Sequence, residues 1–114
     1  MLLSERVRVE IFIPDLPDPS YSRLEELEVE LSYTFGGCTV VSASGQFRSD
    51  SGLLLPDNIN IVFTDVALDI NHDRLRIGQY VDRVIGAIRQ ALPEEESILV
   101  ALHAIYHAEN ENAR

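Results

Sequence analysis

The chain has 114 residues, 19 acidic against 9 basic, and a formal net charge of -10. That length makes one domain, able to bury roughly 65% of its unfolded surface without metal or disulfide support. The acidic balance argues against nucleic-acid and anionic-membrane partners, which need clustered basic residues. All the basic residues are Arg, so lysine Schiff-base chemistry and the phosphate-loop lysine are excluded.

Residues 6–13 alternate. Val7, Val9, Ile11 and Ile13 point one way, and Arg6, Arg8, Glu10 and Phe12 the other, which predicts a strand with one buried face. The prolines of PDLPDPS end it. Ser20 or Ser22 is placed to cap a helix, and Ser22 with Glu25 has capping-box spacing. Leu24, Leu27, Leu31 and Phe35 recur at three- and four-residue steps along that helix. Gly36 and Gly37 should stop it, one of them in the left-handed conformation.

The stretch FGGCTVVSASGQFRSDSGLL, residues 35–54, raises the question of a phosphate cradle. An anion-binding loop leads into a helix N-terminus, whereas this glycine pair follows a helix and precedes a strand. A hairpin is the better account. One strand spans 39–47, with a bulge expected at Gly45. Ser49 to Gly52 turn the chain, and a second strand follows whose continuous part is 59–66, after an interruption at Pro56, Asp57 and Asn58.

A second helix is predicted over 72–92, capped by Asn71 or Asp73. Ile77, Val81, Val84, Ile88 and Leu92 form its apolar stripe. Residues 97–107 fit either period, and the strand reading is preferred because a fourth strand completes a βαββαβ order. That order predicts an α+β, ferredoxin-like domain over 1–108, with a four-stranded antiparallel sheet and both helices on one face. Residues 109–114 read as a polar tail.

The expected covered face holds Val7, Val9, Ile11, Val41, Ala43, Ile59, Ile61, Phe63, Val100 and Leu102. The open face would then carry Phe12, Val40, Val62 and Ile105 among polar groups that include Arg8, Glu10, Thr64 and His103.

Two segments, residues 35–54 and 77–99, resemble a family of small uncharacterised bacterial proteins. The shared features are a glycine before a TV-type strand, a G-Q-aromatic-R hairpin with a turn glycine, and a tyrosine-bearing helix running into an E-S-hydrophobic strand. The matching residues are Gly37, Thr39, Val40, Gly45, Gln46, Phe47, Arg48, Gly52, Tyr80, Glu96 and Ser97. Phe47 stands where Trp is the expected aromatic. The resemblance implies the last strand and carries no activity.

Chemical motifs are few. Cys38 has no neighbouring base in sequence and reads as a small buried hydrophobe. No serine sits in a G-x-S-x-G elbow. DINHD, residues 69–73, opens like a calcium loop but has Arg74 and Tyr80 where Gly and Glu are needed. His103 and His107 would share a metal on a helix, but on a strand they stand roughly 13 Å apart. No metal and no cofactor are therefore expected.

The sequence points to a binding or assembly module that forms a homodimer through its open face or an edge strand, with a protein partner or small ligand as further possibilities. The alternative is an enzyme or small-ligand binder whose cleft on that face uses Arg8, Glu10, Thr64 and His103. One cysteine and no leader-like apolar block suggest a cytoplasmic setting.

Overall fold

A computed structural model describes residues 1–14, 18–94 and 98–109. Its elements run β1 (Leu2–Pro14), α1 (Asp18–Phe35), β2 (Thr39–Arg48), β3 (Leu54–Val66), α2 (Arg74–Ala91) and β4 (Leu99–Glu109). The strands form one antiparallel sheet in the order β2-β3-β1-β4. This is the ferredoxin-like α+β arrangement that the sequence predicted.

The final segment is a strand because it finds a partner along its whole length. It pairs with β1 from Leu2 opposite Glu109 to Phe12 opposite Leu99. Glu109 thus belongs to the sheet rather than to a tail. Ser97 and residues 110–114 lie outside the described residues. β1, flanked on both sides, supplies the floor of the core. Val7, Val9, Ile11 and Ile13 are all essentially buried, each contributing about 1.5–3 kcal/mol by area. Leu24, Leu27 and Leu31 of α1 and Ile77, Val84 and Ile88 of α2 close over them. The rings of Phe35 and Tyr80, 5.2 Å apart, join the ends of the two helices.

Several local expectations are corrected. α1 starts at Asp18, so Ser20 and Ser22 fall within its first turns rather than before it. Asp73 occupies the N-cap of α2 but makes no capping bond to the helix. Its Oδ2 instead accepts the Asp69 N–H at 2.8 Å, while Asp69 Oδ1 accepts the N–H groups of Asn71 and His72. The DINHD carboxylates thus fold the loop back on itself.

β2 and β3 keep one register from Thr39 opposite Phe63 to Arg48 opposite Leu54, so Gly45 forms no bulge and Pro56 no interruption. Beyond Pro14, which faces Ile59, β3 has no β1 beside it. The rest of the hairpin stands out as a two-stranded arm, and the molecule measures 52 × 29 × 28 Å. Ser49 N–H donates to the Leu53 carbonyl at 2.8 Å. Alternation from that bond makes Gln46 and Pro56 a non-hydrogen-bonded pair. The missing N–H of Pro56 therefore points away from β2, to the side β1 no longer occupies, and breaks no ladder bond.

The main correction concerns which way β2 and β3 face. Val62 and Thr64 lie opposite Ile11 and Val9, on the covered side, while Ile59, Ile61 and Phe63 share the open side with Asp65. Val40, Ser42 and Ser44 are carried to the helix side and Val41 and Ala43 to the open side. The opposite phase would bury Asp65 with Phe63, and an unpaired buried carboxylate is prohibitive. A one-residue change of phase moves every side chain of a strand.

Gly36 has φ 85 and Gly37 φ 152, and the Gly36 N–H closes the helix on the Ser32 carbonyl at 2.9 Å. A Cβ on Gly36 would meet nothing within 4 Å, so substitution strains the backbone alone. Gly36→Val should cost on the order of 1–2 kcal/mol in urea unfolding. Ser51→Ala, which loses only an exposed contact to the Ser49 hydroxyl, should stay within about 0.5 kcal/mol of wild type.

Candidate functional site

The open face divides into an ionic half and an apolar half. The ionic half is built on β1. Arg8 stands opposite Asp65 on one side and His103 on the other, and Glu10 opposite Phe63 and Ala101. The Arg8 guanidinium donates two bonds to the Asp65 carboxylate, Nε to Oδ1 at 2.8 Å and Nη2 to Oδ2 at 3.0 Å. Its plane lies over the Phe63 ring, 4.2 Å from the centroid. A rigid fork suits both contacts at once, which a lysine could not make.

His107 Nε2 reaches the same Asp65 Oδ2 at 2.9 Å, and His103 Nε2 meets Glu10 Oε1. The two histidines share a face, as the sequence implied, but serve different carboxylates. Among the described residues, no group of three or more His, Cys, Asp or Glu side chains converges as a metal site. Arg6 Nη2 lies 3.9 Å from Glu109, while Arg6 Nε and Ser4 Oγ have no partner among the described residues.

Three of the predicted site residues therefore come together: Arg8, Glu10 and His103. Thr64 does not join them. It is buried on the helix side, where its hydroxyl donates to the Gly37 carbonyl at 2.8 Å and ties the sheet to the loop after α1. Two members of the network, Asp65 and His107, were missing from the predicted set. Asp65 carried a usable signal, since an acid paired within a half-covered strand must face away from the core or find a cation.

The apolar half comprises Phe12, Ile61, Val41, Ile59 and Leu99, with Phe47 and Leu55 farther along the arm. Leu99 is 60% and Phe47 49% exposed. Val40 and Val62, expected here, lie on the other side, and Val62 is fully buried. A cleft of about 510 Å³ lies away from the ionic network, between α2 and β4, lined in part by Ile70, Ile77, Val81 and Leu102. The Cys38 thiol sits 3.6 Å from the Glu28 carbonyl and 3.7 Å from the Ser32 hydroxyl, in no basic setting.

The Arg8 hydrogen bonds hold the Asp65 carboxyl below its ordinary value against the opposing effect of burial, and His107 adds to them. Arg8 is raised in turn, chiefly by its bond to Asp65. At the end of the sheet Glu5 is raised by hydrogen bonding to Asp69. Asp69 is held down by that contact and by the Asn71 and His72 N–H groups.

No family model and no curated protein matches the chain. Solved structures do resemble it in fold. CutA from Synechococcus elongatus aligns with a TM-score of 0.58 at 8% identity, over 91% of this chain and 85% of that one. A phage SAM lyase in complex with S-methyl-5'-thioadenosine aligns at 0.53 and 13% identity, over 91% and 90%. A Bacillus cereus protein related to NIF3 aligns at 0.52 and 18% identity over 96% of this chain, which spans 27% of that longer one. Identities this low carry the fold and no activity.

The network predicts a pH dependence. A depressed folded-state carboxyl gives stability that is complete above its unfolded value, about 3.9. That stability is lost as pH falls through the lower folded value. At pH 7, Asp65→Asn should cost about 1–2 kcal/mol, the low end for charged hydrogen bonds because Arg8 and His107 are part-exposed. In urea unfolding the gap to wild type should hold at pH 5 and shrink progressively below about pH 4.

Proposed function

We propose that this protein is a binding and assembly module that works as a homodimer. The observation that carries the reading is the helix-free face of the sheet. Its strip of Phe12, Ile61, Val41, Ile59 and Leu99 continues onto an arm bearing Phe47 and Leu55. Contiguous apolar area of this kind marks an interaction surface. A second copy related by a twofold axis covers it with the same residues.

The ionic half supports assembly over chemistry. Arg8, Asp65 and His107 answer one another, as do Glu10 and His103, so these groups are engaged within the face rather than presented to a substrate. In this reading the module acts in the cytoplasm, binds itself or another protein, and belongs with the small bacterial proteins whose G-Q-aromatic-R hairpin it resembles.

The test is mass in solution against concentration and salt. Light scattering should give about twice the 12.8 kDa chain mass at micromolar concentration. A net charge of -10 on each copy opposes association at long range, so dimer should strengthen as salt rises from 20 mM to 300 mM. A mass of one chain at every concentration and salt would end this reading.

A further inference from the structure

Among the described residues, β1 before Val7, β3 along the arm, β4 and β2 each present a free edge, and they are not treated alike; the β1 stretch carries Glu5 and Arg6. The edge of β3 along the arm carries Pro56 and Asp57. β4 carries His103, His107 and Glu109. β2 carries only Arg48, at its last position. From Thr39 to Phe47 it has no charge and no proline, its register shows no bulge, and all but one of its residues are exposed. Natural proteins guard free edges with charges, prolines, bulges or short strands, because unpaired backbone groups recruit another strand. A nine-residue run with none of these, closed only by Arg48, is an edge left open.

We infer that β2 pairs antiparallel with β2 of a second copy, about a twofold axis through Ala43. This rests on the homodimer reading above and assigns the contact to an edge strand in place of the open face. The axis follows from the strand itself. Ala43 is the midpoint of the uncharged run Thr39–Phe47, so this register pairs that run with itself and leaves Arg48 beyond it at both ends.

The backbone agrees. Counting back from the Ser49–Leu53 bond, Val40, Ser42, Ser44 and Gln46 turn their N–H and carbonyl groups away from β3. In the proposed register Ser42 faces the second copy's Ser44, and Val40 its Gln46, so outward groups meet outward groups. Ala43 meets its own counterpart at a non-hydrogen-bonded position, where Cα atoms approach to about 4.5 Å. Val41 lies opposite Gly45 and Thr39 opposite Phe47, larger side chains against smaller ones.

The self-matching run selects a second copy as the occupant, and its lack of charge permits the contact. Two copies carrying -10 each repel. An uncharged edge lets them meet without placing like charges opposite one another. The result is one continuous eight-stranded sheet with all helices on one side and the two apolar strips adjoining on the other.

Two variants test this, each beside wild type. Ala43→Cys in a Cys38→Ser background should form a disulfide-linked dimer under mild oxidation, in high yield and at low micromolar concentration. A Phe12→Cys control, on β1 and away from the edge, should not. Ser44→Pro removes an outward N–H that the monomer does not use. It should keep the wild-type circular dichroism and shift the dissociation constant at least tenfold toward monomer.

A dimeric wild type whose Ala43→Cys variant fails to cross-link, or whose folded Ser44→Pro variant stays equally dimeric, overturns the β2 edge and leaves assembly through the open face standing. If Ser44→Pro does not fold, the cross-link alone decides. A wild type that is monomeric throughout overturns both.

Discussion

The register between β1 and β3 is the constraint on which the rest of the molecule depends. A sheet covered on one side has a side-chain period of two and tolerates no slip. Here the register is held from both faces. Val7, Val9 and Ile11 meet Val66, Thr64 and Val62 under the helices. On the other side Arg8 meets Asp65 through a two-bond fork. Either set of contacts is modest alone. Together they leave a shifted pairing with a carboxylate among leucines and a valine row in water. β2 then inherits its orientation from β3, and β4 inherits its own from β1.

The sequence made the order of elements readable because each announces itself locally. Leu24, Leu27 and Leu31 repeat at helical steps, the prolines and paired glycines punctuate, and Val7 to Ile13 alternate cleanly. The last strand was legible only through the fold it completes, since Ile98 to Tyr106 satisfies both periods. The facing of β2 and β3 was misread for a physical reason. Ile59, Ile61 and Phe63 are bulkier than Val62 and Thr64, and bulk suggested burial. The unread residue was Asp65, in phase with Phe63.

The same misreading shaped the candidate site. Arg8, Glu10 and His103 were found because β1 alternates in one way only, and β4 does so once it is taken as a strand. Thr64 was misplaced with its strand, and Asp65 was absent from the list for the same cause. His107 was on the expected face but outside the candidate set. Its role depends on a carboxylate two strands away, a contact no local pattern contains. What the sequence did convey about function was negative: no lysine, no phosphate loop, no calcium loop, no nucleophile elbow. The open face that remains is a surface, and surfaces are defined by register more than by motif.

β1 is flanked on both sides, yet it precedes both of its neighbours in the chain, and that sets a condition on how the sheet is made. Val9 ends between Thr64 and Leu102. During N-to-C synthesis its first neighbour emerges only after α1 and β2, and its second only after α2. Until then VRVEIFI is an alternating, strand-prone segment with no native partner, of the kind that seeks other chains. Arg6 just before it, with Arg8 and Glu10 inside it, lies on the face that no helix covers and keeps that waiting segment charged on one side. Side chains that pair within the finished face thus act earlier as gatekeepers during translation, before any sheet exists for them to decorate.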